Sequence, residues 1–229
     1  MKIKFLGTRG EIKVSHPKYN KHSAILIDDE LMFDLGEKNY LDYKPKRIFI
    51  THLHPDHAFF VTLPSKFKTP LFLPENFRSN LDVTVLKKTY SYRDYDITPV
   101  YTVHSRLVKS QGYLIEKSRQ KIFYSGDVAW ITVKERKKLK RLDLAITDAS
   151  YIAYKGLIIK NGKTGQICGH TGIPDLVNLL KPYTKKIYLM HYGSWFYKDI
   201  KKAKEKVSLL AKKESVDIGM ACDGLEIKI

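Results

Sequence analysis

The chain has 229 residues, of which 43% are hydrophobic and 12% are aromatic. This composition is typical of a globular protein and excludes a disordered one. The length predicts one domain with a sizeable core, spanning residues 1–229. No apolar run approaches the roughly 18 to 20 residues that a membrane span needs, and the opening MKIKFLGTRG is unlike a cleavable signal. We therefore expect a cytoplasmic protein with no membrane partner.

Lysine and arginine outnumber aspartate and glutamate by 41 to 24, so the formal net charge is +17. Because cationic side chains release counterions from phosphates, this charge favours a nucleic acid or a nucleotide as the partner. The alternative, which the sequence leaves open, is that the lysines only coat solvated helix faces. The two cysteines, Cys168 and Cys222, argue against a disulfide framework and agree with a reducing compartment.

The first half of the chain alternates short β-type runs with turns. A helix is predicted over residues 55–65, after the fourth of these runs. The predicted strands are residues 2–6, 23–27, 31–36, 47–51, the string PLFLP, and residues 97–103, 112–116 and 121–125. This half is therefore expected to be mostly sheet.

In the second half, strands and helices alternate. VKERKKLKRL predicts a basic helix, LDLAIT a strand, PDLVNLLKPY a helix that begins at Pro174, and KKIYLM a strand. Residues 198–215 predict a long lysine-rich amphipathic helix, and LEIKI predicts an edge strand. This order fits a layered α/β sandwich with helices outside two facing sheets. Its active edge is expected where the strand ends and their loops converge.

A dense polar cluster follows the apolar strand RIFIT, in the string THLHPDH. It places His52, His54, Asp56 and His57 in one turn. Imidazole and carboxylate together suit zinc, manganese or iron. A surface turn with incidental histidines is the alternative, but four candidate ligands in so short a turn argue against it.

Four further polar residues stand at the ends of predicted elements. His104 ends the run ITPVYTV, Asp127 follows KIFYSG, and His191 ends KIYLM. His170 lies in the glycine-bounded string CGHTG before a helix. An isolated histidine is more often structural than functional, but repeated placement after apolar strands favours a shared site.

These motifs, in this order, resemble those of the metallo-β-lactamase superfamily. The likeness covers nearly the whole chain and is strongest to the phosphodiesterase branch that includes ribonuclease Z and the cyclic phosphodiesterases of phosphonate metabolism. KIKFLGTRG is similar to that branch's opening strand and glycine turn, GYLIE follows His104 as in ribonuclease Z, and GHTG resembles its extra histidine motif. The resemblance implies a four-layered αββα sandwich.

The resemblance also implies two divalent metal ions, zinc in first place with manganese or iron as alternatives. One ion would be held by His52, His54 and His104. Asp127 would bridge it to the second, whose other ligands would be Asp56, His57 and His191. A hydroxide bridging the two ions would then hydrolyse a phosphodiester in RNA, DNA or a nucleotide.

Three residues carry the catalytic roles that the resemblance implies. Asp56 would orient or deprotonate the attacking water, and a protonated His170 would face the scissile phosphate. Asp148 in TDASY resembles the acidic residue that supports this histidine, although ribonuclease Z usually has glutamate there, in an HEATF-like string. Because aspartate stands here in place of that glutamate, the role of Asp148 stays open.

The length of one hairpin argues against one substrate of this branch. Ribonuclease Z inserts a long arm that grips transfer RNA, whereas Tyr113 to Ser125 is only a short hairpin here, which counts against transfer RNA processing. Two alternatives stay open: a metallohydrolase of a non-phosphate ester, lactone or thioester, and a non-catalytic nucleic-acid-binding protein, against which the intact ligand set argues. The resemblance also implies a homodimer, since dimers are common in this branch.

Overall fold

The computed structural model describes all of residues 1–229 and contains two seven-stranded sheets and one separate hairpin. The strands are β1 Lys2–Gly7, β2 Ala24–Ile27, β3 Leu31–Phe33, β4 Arg47–Phe49, β5 Leu71–Leu73, β6 Val83–Val85, β7 Tyr90–Tyr92, β8 Tyr95–Thr102, β9 Ser110–Lys117, β10 Gln120–Tyr124, β11 Leu144–Ala149, β12 Leu157–Lys160, β13 Ile167–His170, β14 Lys186–Tyr192, β15 Asp217–Met220 and β16 Glu226–Lys228. The helices are α1 Val133–Arg136, α2 Ile173–Leu180, α3 Ser194–Lys198 and α4 Ile200–Glu214, and 3₁₀ turns span Lys38–Tyr43 and Phe59–Val61.

The order of the strands brings several loops to common edges. The first sheet runs β16-β1-β2-β3-β4-β5-β6, and the second runs β15-β14-β11-β10-β9-β8-β7. In the second sheet β10, β11, β14 and β15 are parallel neighbours, and β3 to β6 are parallel in the first. Because parallel neighbours end at the same edge, the loops after β10, β11 and β14 are adjacent, as ligand sites in α/β sheets require.

Three apolar clusters define the layers. Between the sheets, the rings of Phe33 and Phe49 lie 5.5 and 5.7 Å from that of Tyr113. The outer face of the second sheet is covered by α2 and α4, through side chains such as Val177 and Val207. The outer face of the first sheet is covered by the two 3₁₀ turns and their loops. The predicted mixed α/β fold with two facing sheets is confirmed, with 3₁₀ turns instead of α-helices in one outer layer.

The helix predicted over residues 55–65 is wrong. Only Phe59–Val61 turns there, as a 3₁₀ helix. The local hydrogen bonds of this segment are interrupted by pairing with a distant one: Leu35 N donates to the His57 carbonyl, and Phe59 N donates to the Leu35 carbonyl. The tertiary contact with Leu35 therefore replaces a helical hydrogen-bond ladder.

Two other helices differ from the sequence prediction. The basic segment VKERKKLKRL forms one helical turn, α1, because the chain must leave the helix to bury Leu139 and Leu142. The predicted helix over residues 198–215 forms as α4 but begins later, at Ile200, because Asp199 is extended and separates it from the short α3. The Asp199 carboxylate caps α4 by accepting from Lys202 N at 3.0 Å.

The remaining predictions fit more closely. LEIKI forms the edge strand β16, and the predicted helix at Pro174 is α2, which begins one residue earlier. The strands β6, β7, β12, β13 and β15 were not predicted; β6, β7 and β12 are short and partly exposed, so they lack a continuous apolar pattern. None of the helices combines the length and apolarity needed to cross a membrane.

Candidate metal centre

The turn after β4 is buried, and it aims its polar side chains inward. Thr51 N donates to Asp34 Oδ1 at 2.7 Å and His57 N donates to the His54 carbonyl at 3.0 Å, so the chain doubles back within a few residues. His52 and His57 are at most 1% exposed. The alternative of a surface turn with incidental histidines is therefore wrong.

Other strand ends bring three more side chains to this turn. His104 follows β8 and Asp127 follows β10, after Gly126, whose φ of +58° suits glycine. His191 lies in β14 at a bulge, where the pairing with β11 shifts register, and its own φ is +58°. A buried non-glycine residue in this conformation is strained, and such strain is typical of functional sites. The bulge turns the His191 ring toward the cluster.

One group of donor atoms forms around the first two histidines of the turn. His52 Nε2 lies 3.0 Å from His54 Nδ1 and 3.6 Å from Asp127 Oδ2. His104 Nε2 lies 3.2 Å from His54 Nδ1 and 3.6 Å from Asp127 Oδ2. These four atoms face a common centre.

A second group shares the other oxygen of the same aspartate. Asp127 Oδ1 lies 3.2 Å from His57 Nε2 and 3.4 Å from His191 Nε2. Asp56 Oδ2 is 3.7 Å from each of those two nitrogens. The two carboxylate oxygens of Asp127 thus belong to different groups, as a bridging ligand requires.

The donor atoms fit metal ions. A tetrahedral zinc site with bonds of 2.0 to 2.1 Å places its ligand atoms about 3.3 Å apart, close to the separations in both groups. His57 Nε2 and Asp127 Oδ1 are buried and make no hydrogen bond although they are near each other. Buried polar atoms without partners are costly, and a cation between them would satisfy both.

The ring nitrogens that face away from the cluster have acceptors of their own. His104 Nδ1 donates to the Gly169 carbonyl at 2.9 Å, and His52 Nδ1 donates to Thr51 Oγ1 at 3.0 Å. His191 Nδ1 pairs with Ser23 Oγ at 2.8 Å. Such partners set the tautomer and leave the inward nitrogen with its lone pair.

Asp34 is a functional residue that sequence reasoning missed. Its fully buried carboxylate accepts from His57 Nδ1 at 2.7 Å, from Tyr124 Oη at 2.7 Å, and from the amide and hydroxyl of Thr51. In the sequence it sits in the apolar run LMFDLG, and a charged residue inside a predicted buried strand was the available signal. Asp34 fixes the orientation of the His57 ring.

Replacing Asp34 by asparagine is expected to weaken metal binding about 10- to 100-fold, because the supporting charge behind His57 is lost. Asparagine is the appropriate substitution because Asp34 has a φ of +63°, which asparagine tolerates. Zinc affinity is measured by competition with a chromophoric chelator. The exposed Asp42→Asn variant is the control, and equal affinities in the two variants would contradict the assigned role.

Burial and neighbouring charges determine which side chains of the cluster are protonated. Burial, followed by neighbouring imidazoles, lowers the pKa of His54 to about 4 and that of His52 well below its usual range. Burial alone would raise the pKa of Asp127, but His191, His57 and His170 hold it well below its usual range. His52 and His54 are thus neutral and Asp127 is ionised, the forms that bind metal. Burial alone would lower the pKa of His57, but Asp127 and Asp34 raise it well above its usual range, so a metal ion there would displace a proton.

The partly buried His170 and the buried Asp148 form a pair beside the cluster. His170 Nδ1 donates to Asp148 Oδ2 at 2.7 Å and lies 3.9 Å from Asp127 Oδ2. Burial alone would lower the pKa of His170, but Asp148 and Asp127 raise it to about 9. His170 lines a small polar cleft of about 190 Å³ with His54, Asp56 and His191. Its imidazolium therefore faces the space in which a substrate would bind.

His22 also lies near the cluster, although it was left out of the predicted set. One of its ring nitrogens is within 4.8 Å of carboxylate oxygens of Asp56 and Glu11. Arg9 Nη2 lies 2.9 Å from His22 Nε2. Because a guanidinium only donates, His22 Nε2 is the acceptor and His22 Nδ1 carries the proton. Burial and Arg9 lower the pKa of His22, so the ring is a neutral donor at the edge of the site.

The fold resembles several solved structures over its whole length. The metallo-β-lactamase fold protein YhfI from Bacillus subtilis has a TM-score of 0.73 at 14% identity, with 99% of this chain and 98% of that chain covered. The short form of human tRNase Z has a TM-score of 0.65 at 17% identity, covering 100% and 99%. An isothiocyanate hydrolase from Delia radicum gut bacteria has a TM-score of 0.63 at 16% identity, covering 99% and 98%. No curated protein matches the chain in a sequence comparison.

The two facing sheets and the His/Asp cluster at their edge define a metal-dependent hydrolase of the metallo-β-lactamase fold. The family model of the beta-lactamase superfamily domain matches residues 42–192, which is more than half of the chain. The chain belongs to this superfamily.

Proposed function

We propose that the protein is a dinuclear metal-dependent phosphodiesterase that hydrolyses a phosphodiester of RNA, DNA or a nucleotide. One ion would be held by His52, His54, His104 and Asp127, and the other by Asp56, His57, His191 and Asp127. Zinc is the first choice, because histidine-rich sites suit it, whereas a carboxylate-bridged pair also accepts manganese or iron. The two ions would supply a water nucleophile of lowered pKa and positive charge for the phosphoryl oxygens.

The pairing of His170 with Asp148 carries the proposal. A carboxylate 2.7 Å from His170 Nδ1 keeps the imidazole protonated and leaves its other nitrogen without a protein partner. In the cleft this N–H can bond to a phosphoryl oxygen or donate its proton to the leaving alkoxide. The phosphodiesters of RNA, DNA and nucleotides benefit from such an acid, because their alkoxide leaving groups are strongly basic.

Asp56 and His170 line the same cleft, in positions suited to opposite proton transfers. Asp56, the acceptor, would orient the attacking water and take its proton. His170, the donor, would protonate the departing oxygen. The pair lets the two proton transfers occur without a covalent intermediate on the protein.

The similar solved structures do not determine the substrate of this protein. One is by its name a tRNase and another an isothiocyanate hydrolase, and both share this fold at low identity. Fold alone does not determine reaction type. The choice of a phosphodiester therefore depends on His170, Asp148 and the net charge of +17.

The test gives the zinc-loaded protein bis(p-nitrophenyl) phosphate, an acyl-homoserine lactone and a chromogenic β-lactam side by side, with manganese and iron loading in parallel. We expect turnover of the phosphodiester, and its loss in the His52→Ala control. Turnover of the lactone alone would overturn the proposal in favour of a carboxylic-ester hydrolase.

A further inference from the structure

Two openings lead away from the candidate metal centre. The cleft with His170 is small, about 190 Å³. On the other side of His54 and His104 lies a groove of about 480 Å³. Its walls are the turn at residues 105–107 and the end of β13 at Cys168 and Gly169. A substrate that reaches the cluster therefore has room for a larger group in this groove.

The turn at residues 105–107 presents an unusual pair of side chains. Arg106 is exposed and makes no ion pair or hydrogen bond within the protein. Leu107 is 91% exposed. The turn is held in shape by Ser105 Oγ, which accepts from the amide of Leu107 at 3.1 Å. A free cation beside an exposed apolar side chain suits a ligand that joins a phosphate to an aromatic ring.

The opposite wall continues this cationic surface. The hairpin of β12 and β13 pairs with neither large sheet, and the exposed residues in it or just before it include Lys155, Lys160 and Lys163. No acidic residue occurs from Ser150 to Pro174. Gly169 N donates to the His104 carbonyl at 2.6 Å, which attaches the hairpin to the candidate metal centre. A polyanion on the hairpin would thus lie next to the cluster.

The mouth of the small cleft has the opposite electrostatic character. Glu11 lines it, and no lysine or arginine does. Arg9 lies nearby, but its nitrogens bond to the carbonyls of Asn20 and Ile12 and to His22. Apart from His170, which faces the scissile phosphate, this side therefore offers no cation to a further phosphate, whereas the side of Arg106 does.

We propose that the groove binds a single-stranded polynucleotide next to its scissile phosphate. Arg106 binds the neighbouring phosphate, Leu107 contacts the attached base, and the lysines of the hairpin follow the next phosphates. This inference rests on the proposed phosphodiesterase activity and selects a polymer as the substrate over a mononucleotide.

The experiment compares Arg106→Gln, Leu107→Ser and the triple variant K155Q/K160Q/K163Q with wild type. Three substrates are used: a fluorescent single-stranded 12-mer, as RNA and as DNA; a 2′,3′-cyclic mononucleotide; and bis(p-nitrophenyl) phosphate. The control is Lys206→Gln, an exposed lysine of α4 without an ion pair. Binding of the 12-mer to metal-free protein is measured separately by fluorescence anisotropy at several salt concentrations.

We expect the ratio of kcat/KM for the 12-mer to that for the small diester to fall about tenfold or more in Arg106→Gln. The affinity should also depend less steeply on salt: the magnitude of the slope of log affinity against log salt should decrease by about 1 for this variant and by up to about 3 for the triple variant. Lys206→Gln should leave the ratio and the slope at their wild-type values.

The outcomes separate the two proposals. If the wild type cleaves the small diester but not the 12-mer, or if the variants keep the wild-type ratio, the groove proposal is wrong and the phosphodiesterase proposal stands. An equal loss on the cyclic mononucleotide and the 12-mer assigns the groove to single nucleotides and also overturns it. If no phosphodiester is cleaved, the phosphodiesterase proposal fails and the groove proposal fails with it.

Discussion

Replacing Asp127 by alanine is expected to lower phosphodiester hydrolysis by at least about 10³-fold and to reduce the bound metal to fewer than two ions per chain. Its two carboxylate oxygens contact both groups of donor atoms, so one substitution removes a ligand from each. Metal ions stabilise the charge of a phosphoryl transition state by several kcal/mol, and about 4 kcal/mol corresponds to 10³-fold in rate. Metal content by mass spectrometry and steady-state kinetics measure the two effects.

The control for this variant is Asp42→Ala, which removes an exposed carboxylate that belongs to none of the groups of candidate ligands. Circular dichroism checks that both variants fold. If Asp127→Ala still bound two ions and kept its rate, Asp127 would not be a bridging ligand, and the assignment of its two oxygens to two different ions would be wrong.

Removing the acid is expected to have the second-largest effect. His170→Ala should lower kcat about 10²- to 10³-fold, within the range of general acid catalysis. The loss should be greater for a dinucleotide, whose leaving alkoxide needs a proton, than for bis(p-nitrophenyl) phosphate, whose nitrophenolate departs without one. An equal loss on both substrates would contradict proton donation to the leaving group and would assign His170 to binding of the phosphoryl oxygen or to a structural role.

Asp148→Asn tests the same pair through pH. The Asp148 carboxylate raises the pKa of His170, and activity needs the protonated ring, so the rate falls as pH rises through that pKa. Without the negative charge this pKa is lower, and the alkaline limb of the pH–rate profile should move to lower pH. Profiles of wild type and Asp148→Asn between pH 5 and 10 measure the shift. An unmoved limb would show that Asp148 does not control the proton on His170.

Local sequence was sufficient to predict most of the candidate cluster. His52, His54, Asp56 and His57 stand in one turn after an apolar strand, so their proximity follows from the chain itself. His104, Asp127 and His191 each stand at or near a strand end. Their repeated placement after apolar strands, together with the resemblance to the motifs of the superfamily, grouped them in one site before the structure was known.

Other features depend on contacts between distant segments. Asp34 supports His57 across 23 residues and Tyr124 across 90, and nothing near Asp34 in the chain indicates either partner. The prediction of a helix over residues 55–65 was wrong for the same reason, because the backbone of Leu35 forms hydrogen bonds with His57 and Phe59. The groove beside Arg106 forms only when β13 packs against the turn after His104.

The sequence by itself determined the sheet-rich first half, the α/β second half and the metal-binding character of the turn at His52. Periodicity and ligand chemistry are local properties, so they can be read along the chain. The tertiary structure decided which oxygen of Asp127 faces which histidines, how His170 acquires its charge, and on which side of the cluster the larger groove lies. These depend on distances and burial between segments far apart in sequence, which only the packed fold sets.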